Sequence, residues 1–170
     1  LHWKPTVLHD LHESVPFLYI STGTGPYNDE YDPIVVDEWN TLAYQEITEL
    51  TRRGLPGIWT HGFYDGWAPN YTVLSVGNLH NSIGRFYETY TSSGAGCTTV
   101  RLQASDTARI WYRSNPPVNG VKWCIRSNIN FQQSGVLVAL RYVADNSDVF
   151  LTKFVTKSQR MIPRGRPPAP

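Results

Sequence analysis

Long apolar runs are missing from this chain: nowhere do the roughly 18 consecutive apolar residues of a membrane-spanning helix occur, so a membrane span is excluded as a reading of these 170 residues. The first ten residues, "LHWKPTVLHD", have neither the basic start nor the apolar stretch of a signal peptide. Charge is sparse as well. Only 17% of residues are Asp, Glu, Lys or Arg, and the formal net charge is +1. Without a basic run there is no electrostatic footprint for nucleic acid or for an anionic membrane surface. Cysteine is nearly absent. Cys97 and Cys124 are too few to ligate a structural zinc by themselves, and they can either form one disulfide or stay free. Also missing are H-E-x-x-H, G-x-S-x-G and a phosphate-cradling loop. "STGTG" at 21–25 lacks the lysine and the helix start that such a loop needs, and reads as a turn. A serine hydrolase and a nucleotide enzyme are thereby disfavoured.

What remains is an ordinary globular composition, 41% hydrophobic and unusually aromatic at 13%. A chain of this length supports one domain with a real core. "KPTVLHDLH" suits a short buried strand ending near His12. "DPIVVDEWNTLAYQEITELTRRG" is the clearest helix. Asp32 can cap it, Pro33 fits the first turn, and Val36, Trp39, Ala43, Ile47 and Leu50 form an apolar stripe. Arg52, Arg53, Gly54 and Pro56 stop it. "GIWTHGFYDGWAPNY" reads as a long surface loop whose aromatics can line a ligand site. "IGRFYETYTS" returns to strand character, and "FQQSGVLVALRYVADN" with "SDVFLTKFVTKSQRM" reads as two helices split near Asn146 to Asp148. Strands alternating with amphipathic helices predict an α/β fold, a mixed sheet flanked by helices. Residues 1–162 form the domain in this reading. The Pro-rich 163–170 read as a linker or tail, and the abrupt start and stop suggest a portion of something longer. Asn70-Tyr71-Thr72 is a formal glycosylation sequon, a match common by chance.

Chemistry concentrates in "HDLHE", residues 9–13. Histidine and carboxylate are zinc ligands, and a catalytic zinc takes three of them from protein. On a strand, however, His9 and His12 point to opposite faces, so one ligand is the better reading, set against two ordinary polar residues at a strand end. Glu88 is the second candidate. Flanked by Phe86, Tyr87 and Tyr90, it would be partly desolvated, which raises a carboxyl toward the range of a general base; the plain alternative is a hydrogen-bonded carboxylate at a sheet edge.

The blocks "VLHDLHESVPFLYISTGTGPYN", "GIWTHGFYDGWAPNY", "HNSIGRFYETY", "IWYRSNPP" and "VKWCIRSNINFQQSGVLVALRYVADN" together resemble, in order, the bacterial branch of the zinc metallocarboxypeptidases, the M14 peptidase family. The resemblance covers nearly the whole chain and corresponds to the C-terminal half of the catalytic domain. It implies that His12, in "D-L-H", is the third zinc ligand, and that Glu88, in "RFYET", is the catalytic glutamate. It places Tyr64 as the loop tyrosine over the substrate, with Tyr71 as its rival. It implies one Zn2+ per complete domain, a peptide substrate with a free C-terminus, and an extracellular or periplasmic setting. The first two family ligands, H-x-x-E, are lacking: the five histidines are followed three positions later by Pro5, His12, Val15, Tyr64 and Ile83. The N-terminal half of the same domain is therefore an expected partner, and zinc is not expected to be held tightly by this chain alone. The competing class is a non-catalytic peptide- or glycan-binding module.

Overall fold

The computed structural model describes residues 3, 5–15, 17–21, 28–60, 72–90, 95–104 and 120–164. They form a mixed α/β arrangement. Among the described residues are six strands, β1 (Val7–Glu13), β2 (Leu18–Ile20), β3 (Ile58–Trp59), β4 (Ile83–Thr89), β5 (Cys97–Val100) and β6 (Val121–Cys124). Four helices accompany them there, α1 (Pro33–Arg52), α2 (Thr72–Leu79), α3 (Ile125–Asp145) and α4 (Ser147–Arg164).

The main sheet has the order β1-β4-β2-β3. β1 and β4 run parallel, as do β2 and β3, while β2 and β4 are antiparallel. All seven residues of β4 are buried. That is the signature of a strand covered on both faces, where strict polar alternation is lost. On one face α1 and α3 pack Ala43, Leu50 and Phe131 against Leu18, Ile20, Ile58 and Tyr87. α3 approaches closely at Gly135, where a Cβ would lie 3.2 Å from the Tyr87 ring, a tight contact. On the other face α2 lies over Gly84, whose backbone N–H donates to Asn78 Oδ1 at 3.0 Å.

α1 begins and ends as its residues predict. Asp32 accepts from the Ile34 N–H, Pro33 opens the first turn, and Gly54 takes a positive φ of 82° just past the end. Its buried face is wider than the apolar stripe, because Glu38 and Glu46 are fully buried too. Each carboxylate has a buried cation. Arg85 lies 3.0 Å from Glu46, and Lys157 of α4 pairs with Glu38. Lys153–Asp37 and Arg160–Asp32 add two more ion pairs between α4 and the start of α1.

Four features depart from the sequence expectations. "GIW" is not surface loop: Gly57 has a φ of 76°, Ile58 is fully buried, and Ile58–Trp59 form the edge strand β3. A short helix, α2, follows where no helix was expected. The antiparallel pair β5–β6 is a further departure, and within it Cys97 and Cys124 pair as a disulfide. The last helix extends through Pro163 to Arg164, two residues into the stretch read as linker.

Candidate functional site

β1 and β4 are in register such that His12 sits opposite Glu88 and Asp10 opposite Phe86. Paired residues of neighbouring strands share a face, and alternate residues share it too. Asp10, His12, Phe86 and Glu88 therefore lie together on one face of the sheet. The ring contact of His12 with Phe86, 4.8 Å between centroids, agrees. His9 falls on the other face, beside Arg85 and Tyr87, as the strand period requires. The two residues singled out from sequence, His12 and Glu88, are thus brought together. Tyr64 and its rival Tyr71 lie outside the described residues.

His12 Nε2 is 2.9 Å from Asp10 Oδ2. A carboxylate only accepts, so this nitrogen carries the hydrogen, and the neutral tautomer has its lone pair on Nδ1. Asp10 thereby fixes the ring's tautomer and orientation in the way outer carboxylates orient metal-binding histidines. His12 is partly open, its side chain 38% exposed. Glu88 is not, being 1% exposed. Burial pushes its carboxyl above the ordinary range; a Ser14 hydrogen bond and the nearby His12 oppose this, while Asp10 and Glu13 add to it. Its Oε2 is buried with no hydrogen-bond partner among the described residues. A buried carboxylate oxygen left without a partner is costly.

The strand end that carries His12 is held from behind by α3. Gln132 donates to the His12 carbonyl at 2.7 Å, and Asn128 donates to Glu13 Oε1 at 3.0 Å and to the Tyr90 carbonyl at 2.8 Å. The Trp123 indole N–H donates to Asn128 Oδ1 at 2.6 Å. None of these positioning residues was picked out from sequence. The only available signal was the amide-rich helix start "NINFQQ".

On the opposite face His9 Nδ1 lies 3.1 Å from the Tyr87 hydroxyl, which itself donates to Glu46. Burial first, and then the Arg85 cation, lower the His9 pKa to about 4. The fold thus favours neutral His9, whereas the unfolded chain protonates it near 6.5. Stability from this group is present above pH 6.5 and is lost as pH falls from there toward 4. Urea-unfolding midpoints measured between pH 7 and 4 should therefore fall, and His9→Gln should flatten that part of the profile. An unchanged slope in the variant would remove His9 from the account.

Can these residues hold a zinc ion? His12, with its lone pair on Nδ1, suits one ligand position, and the unpartnered Glu88 oxygen suits a water beside it. Among the described residues no three of His, Cys, Asp and Glu are grouped so as to hold a metal. The fit is that of one ligand and a base, with further donors required. Compared with protein families, curated proteins and solved structures, the chain matches none of them. What the fold and site define is a mixed α/β chain with a histidine–carboxylate pair across two parallel strands.

Proposed function

We propose that this chain is the part of a zinc-dependent peptide hydrolase of the metallocarboxypeptidase type that carries one zinc ligand, His12, and the general base, Glu88. The observation that supports the reading most is the His12–Glu88 register pair, because one water must be reached both by the metal that His12 holds and by the carboxylate. When bound, zinc would supply Lewis acidity to a carbonyl and to water. Glu88 takes the water proton and passes it to the leaving amine. Its burial makes it a better acceptor than an exposed carboxylate, and Ser14 fixes its orientation. Asp10 holds the His12 ring.

The remaining zinc ligands would come from the N-terminal half of the same domain. Among the described residues β1 is an edge of the sheet and carries His12, so a strand added there would lie next to the incomplete site. The substrate is a peptide with a free C-terminus. The Cys97–Cys124 disulfide favours an oxidising compartment, extracellular or periplasmic.

The test is zinc-dependent release of the terminal residue from a blocked dipeptide by the complete domain, this chain together with the half that supplies the other ligands. Chelation should abolish release, zinc should restore it, and His12→Ala should weaken zinc binding by at least roughly 100-fold, the upper range seen even for outer-shell changes. Full activity in zinc-stripped protein would defeat the proposal. Binding of the dipeptide without hydrolysis would favour the binding-module reading.

A further inference from the structure

Among the described residues β5 and β6 pair only with each other. Two strands alone make a marginal sheet in water. This pair has little else to hold it, since three of the four residues of β5 are exposed and only Val100 and Trp123 are buried, in a small cluster with Phe17. The Cys97–Cys124 disulfide links the two strands across 27 positions of sequence, and a link of that span strongly narrows the open ensemble. Cys97 is exposed and Cys124 half-buried. Exposed disulfides are the ones that exchange with external thiols.

Cys124 connects this pair to the site. It is the N-cap residue of α3, and its backbone N–H donates to Ser127 Oγ at 3.3 Å. One turn along α3, Asn128 accepts from the Trp123 indole and donates to the Glu13 side chain and the Tyr90 carbonyl. A turn further, Gln132 donates to the His12 carbonyl. Asn128 thus ties together the ends of β1 and β4, the strands that carry His12 and Glu88. Disulfide, helix start and strand ends form one series of contacts.

We propose that Cys97–Cys124 is a thiol-exchange site through which a dithiol loosens the start of α3 and, with it, the alignment of His12 with Glu88. Only the consequence for catalysis rests on the hydrolytic reading; the loosening does not. A thiolate of the dithiol attacks the exposed Cys97 sulfur, the S–S bond breaks, and Cys124 leaves as a thiolate that takes up a proton. The second thiol of the dithiol then attacks the mixed disulfide and releases Cys97. The chain gains two electrons and two protons, and the dithiol ends as a disulfide. Trp123 keeps its ring contacts with Phe17 and Phe131, at 5.4 and 4.7 Å between centroids, so the change is local rather than a general unfolding.

In the complete domain, dithiothreitol should open this disulfide without denaturant, making Cys97 and Cys124 available to alkylation. Backbone amide exchange over 128–132 should then quicken by at least roughly tenfold, while exchange in α1 around Trp39 stays as it was. Hydrolysis at saturating zinc, assayed after the dithiol is removed, should fall about tenfold, within the roughly 100-fold that a small misplacement can cost. Reoxidation should restore both. The double variant Cys97→Ser/Cys124→Ser should match the reduced state, and if it fails to fold, the reduced wild type decides the matter. A disulfide that resists the dithiol in the folded protein overturns the proposal. Faster exchange in β5 with none over 128–132 overturns it too, as does equal loosening of α1, the mark of a general staple, or hydrolysis that reduction leaves unchanged. Selective loosening of 128–132 in a protein that hydrolyses nothing in either state leaves the exchange site standing and overturns the reaction instead.

Discussion

In the complete enzyme, Glu88→Gln should reduce kcat by about 100-fold to 10,000-fold, the range that positioned general bases contribute, while leaving bound zinc and melting temperature close to wild type. Glutamine keeps the shape of the side chain and can still accept from Ser14, but it cannot take a proton from water. The loss should fall on kcat more than on KM, because the missing interaction belongs to the transition state. The pH profile gives a second reading. Burial holds the Glu88 carboxyl above the ordinary carboxylate range, and the base must be ionised to act. Activity should therefore fall on the acid side at a pH above that range, and this limb should vanish in the residual activity of the variant. Near-normal kcat with zinc bound would end the catalytic assignment. A large drop in melting temperature with activity per folded molecule retained would make Glu88 structural.

The second large effect is on stability. Arg85 and Glu46 are both fully buried. The guanidinium donates twice to the carboxylate, at 3.0 and 3.1 Å, and to the carbonyls of Ser21 and Trp39 at 3.2 Å. Burial pushes the Glu46 carboxyl upward, and Arg85 is the main opposing influence. Arg85→Met removes that partner and leaves the carboxylate with the Tyr87 hydroxyl alone. The expected cost is about 3–5 kcal/mol, the range for breaking one side of a buried pair. Adding Glu46→Leu to the same variant should recover much of it, since no charge is then stranded. Urea unfolding of the two single variants and the double variant, with equal m-values, measures this coupling. A single variant within about 1 kcal/mol of wild type would show that the pair is solvated rather than buried.

The sequence was most readable where one period governs a segment. α1 carries its cap, its first-turn proline and its stop signals in order, and it folds from Pro33 to Arg52. The break between the two C-terminal helices at Asn146 was equally visible. On β1 the two-residue period separated His9 from His12, and on β4 it grouped Phe86 with Glu88. What could not be read was pairing. Nothing in "LYI" or "GIW" announces that Tyr19 and Trp59 continue the line of register partners begun by His12 and Glu88, because register is a property of two strands at once. The burial of Arg85, Glu46, Glu38 and Lys157 was hidden for a similar reason. Charged residues are read as surface until their partners, 39 residues apart for the first pair and 119 for the second, are known to meet. The strand pair that joins Cys97 to Cys124 likewise forms only in three dimensions.

The pairing of β1 with β4 joins residues 76 positions apart in the chain, against 40 for β2 with β3. Closing the wider loop costs more chain entropy, and contacts of large sequence separation slow folding. His12 and Glu88 are thus contributed by the two strands whose meeting is the least local event in the sheet. An intermediate that has built α1, α3 and the β2–β3 pair has much of the core but not the proposed reaction centre. In the complete enzyme, recovery of activity after dilution from denaturant should accordingly trail the recovery of helical signal.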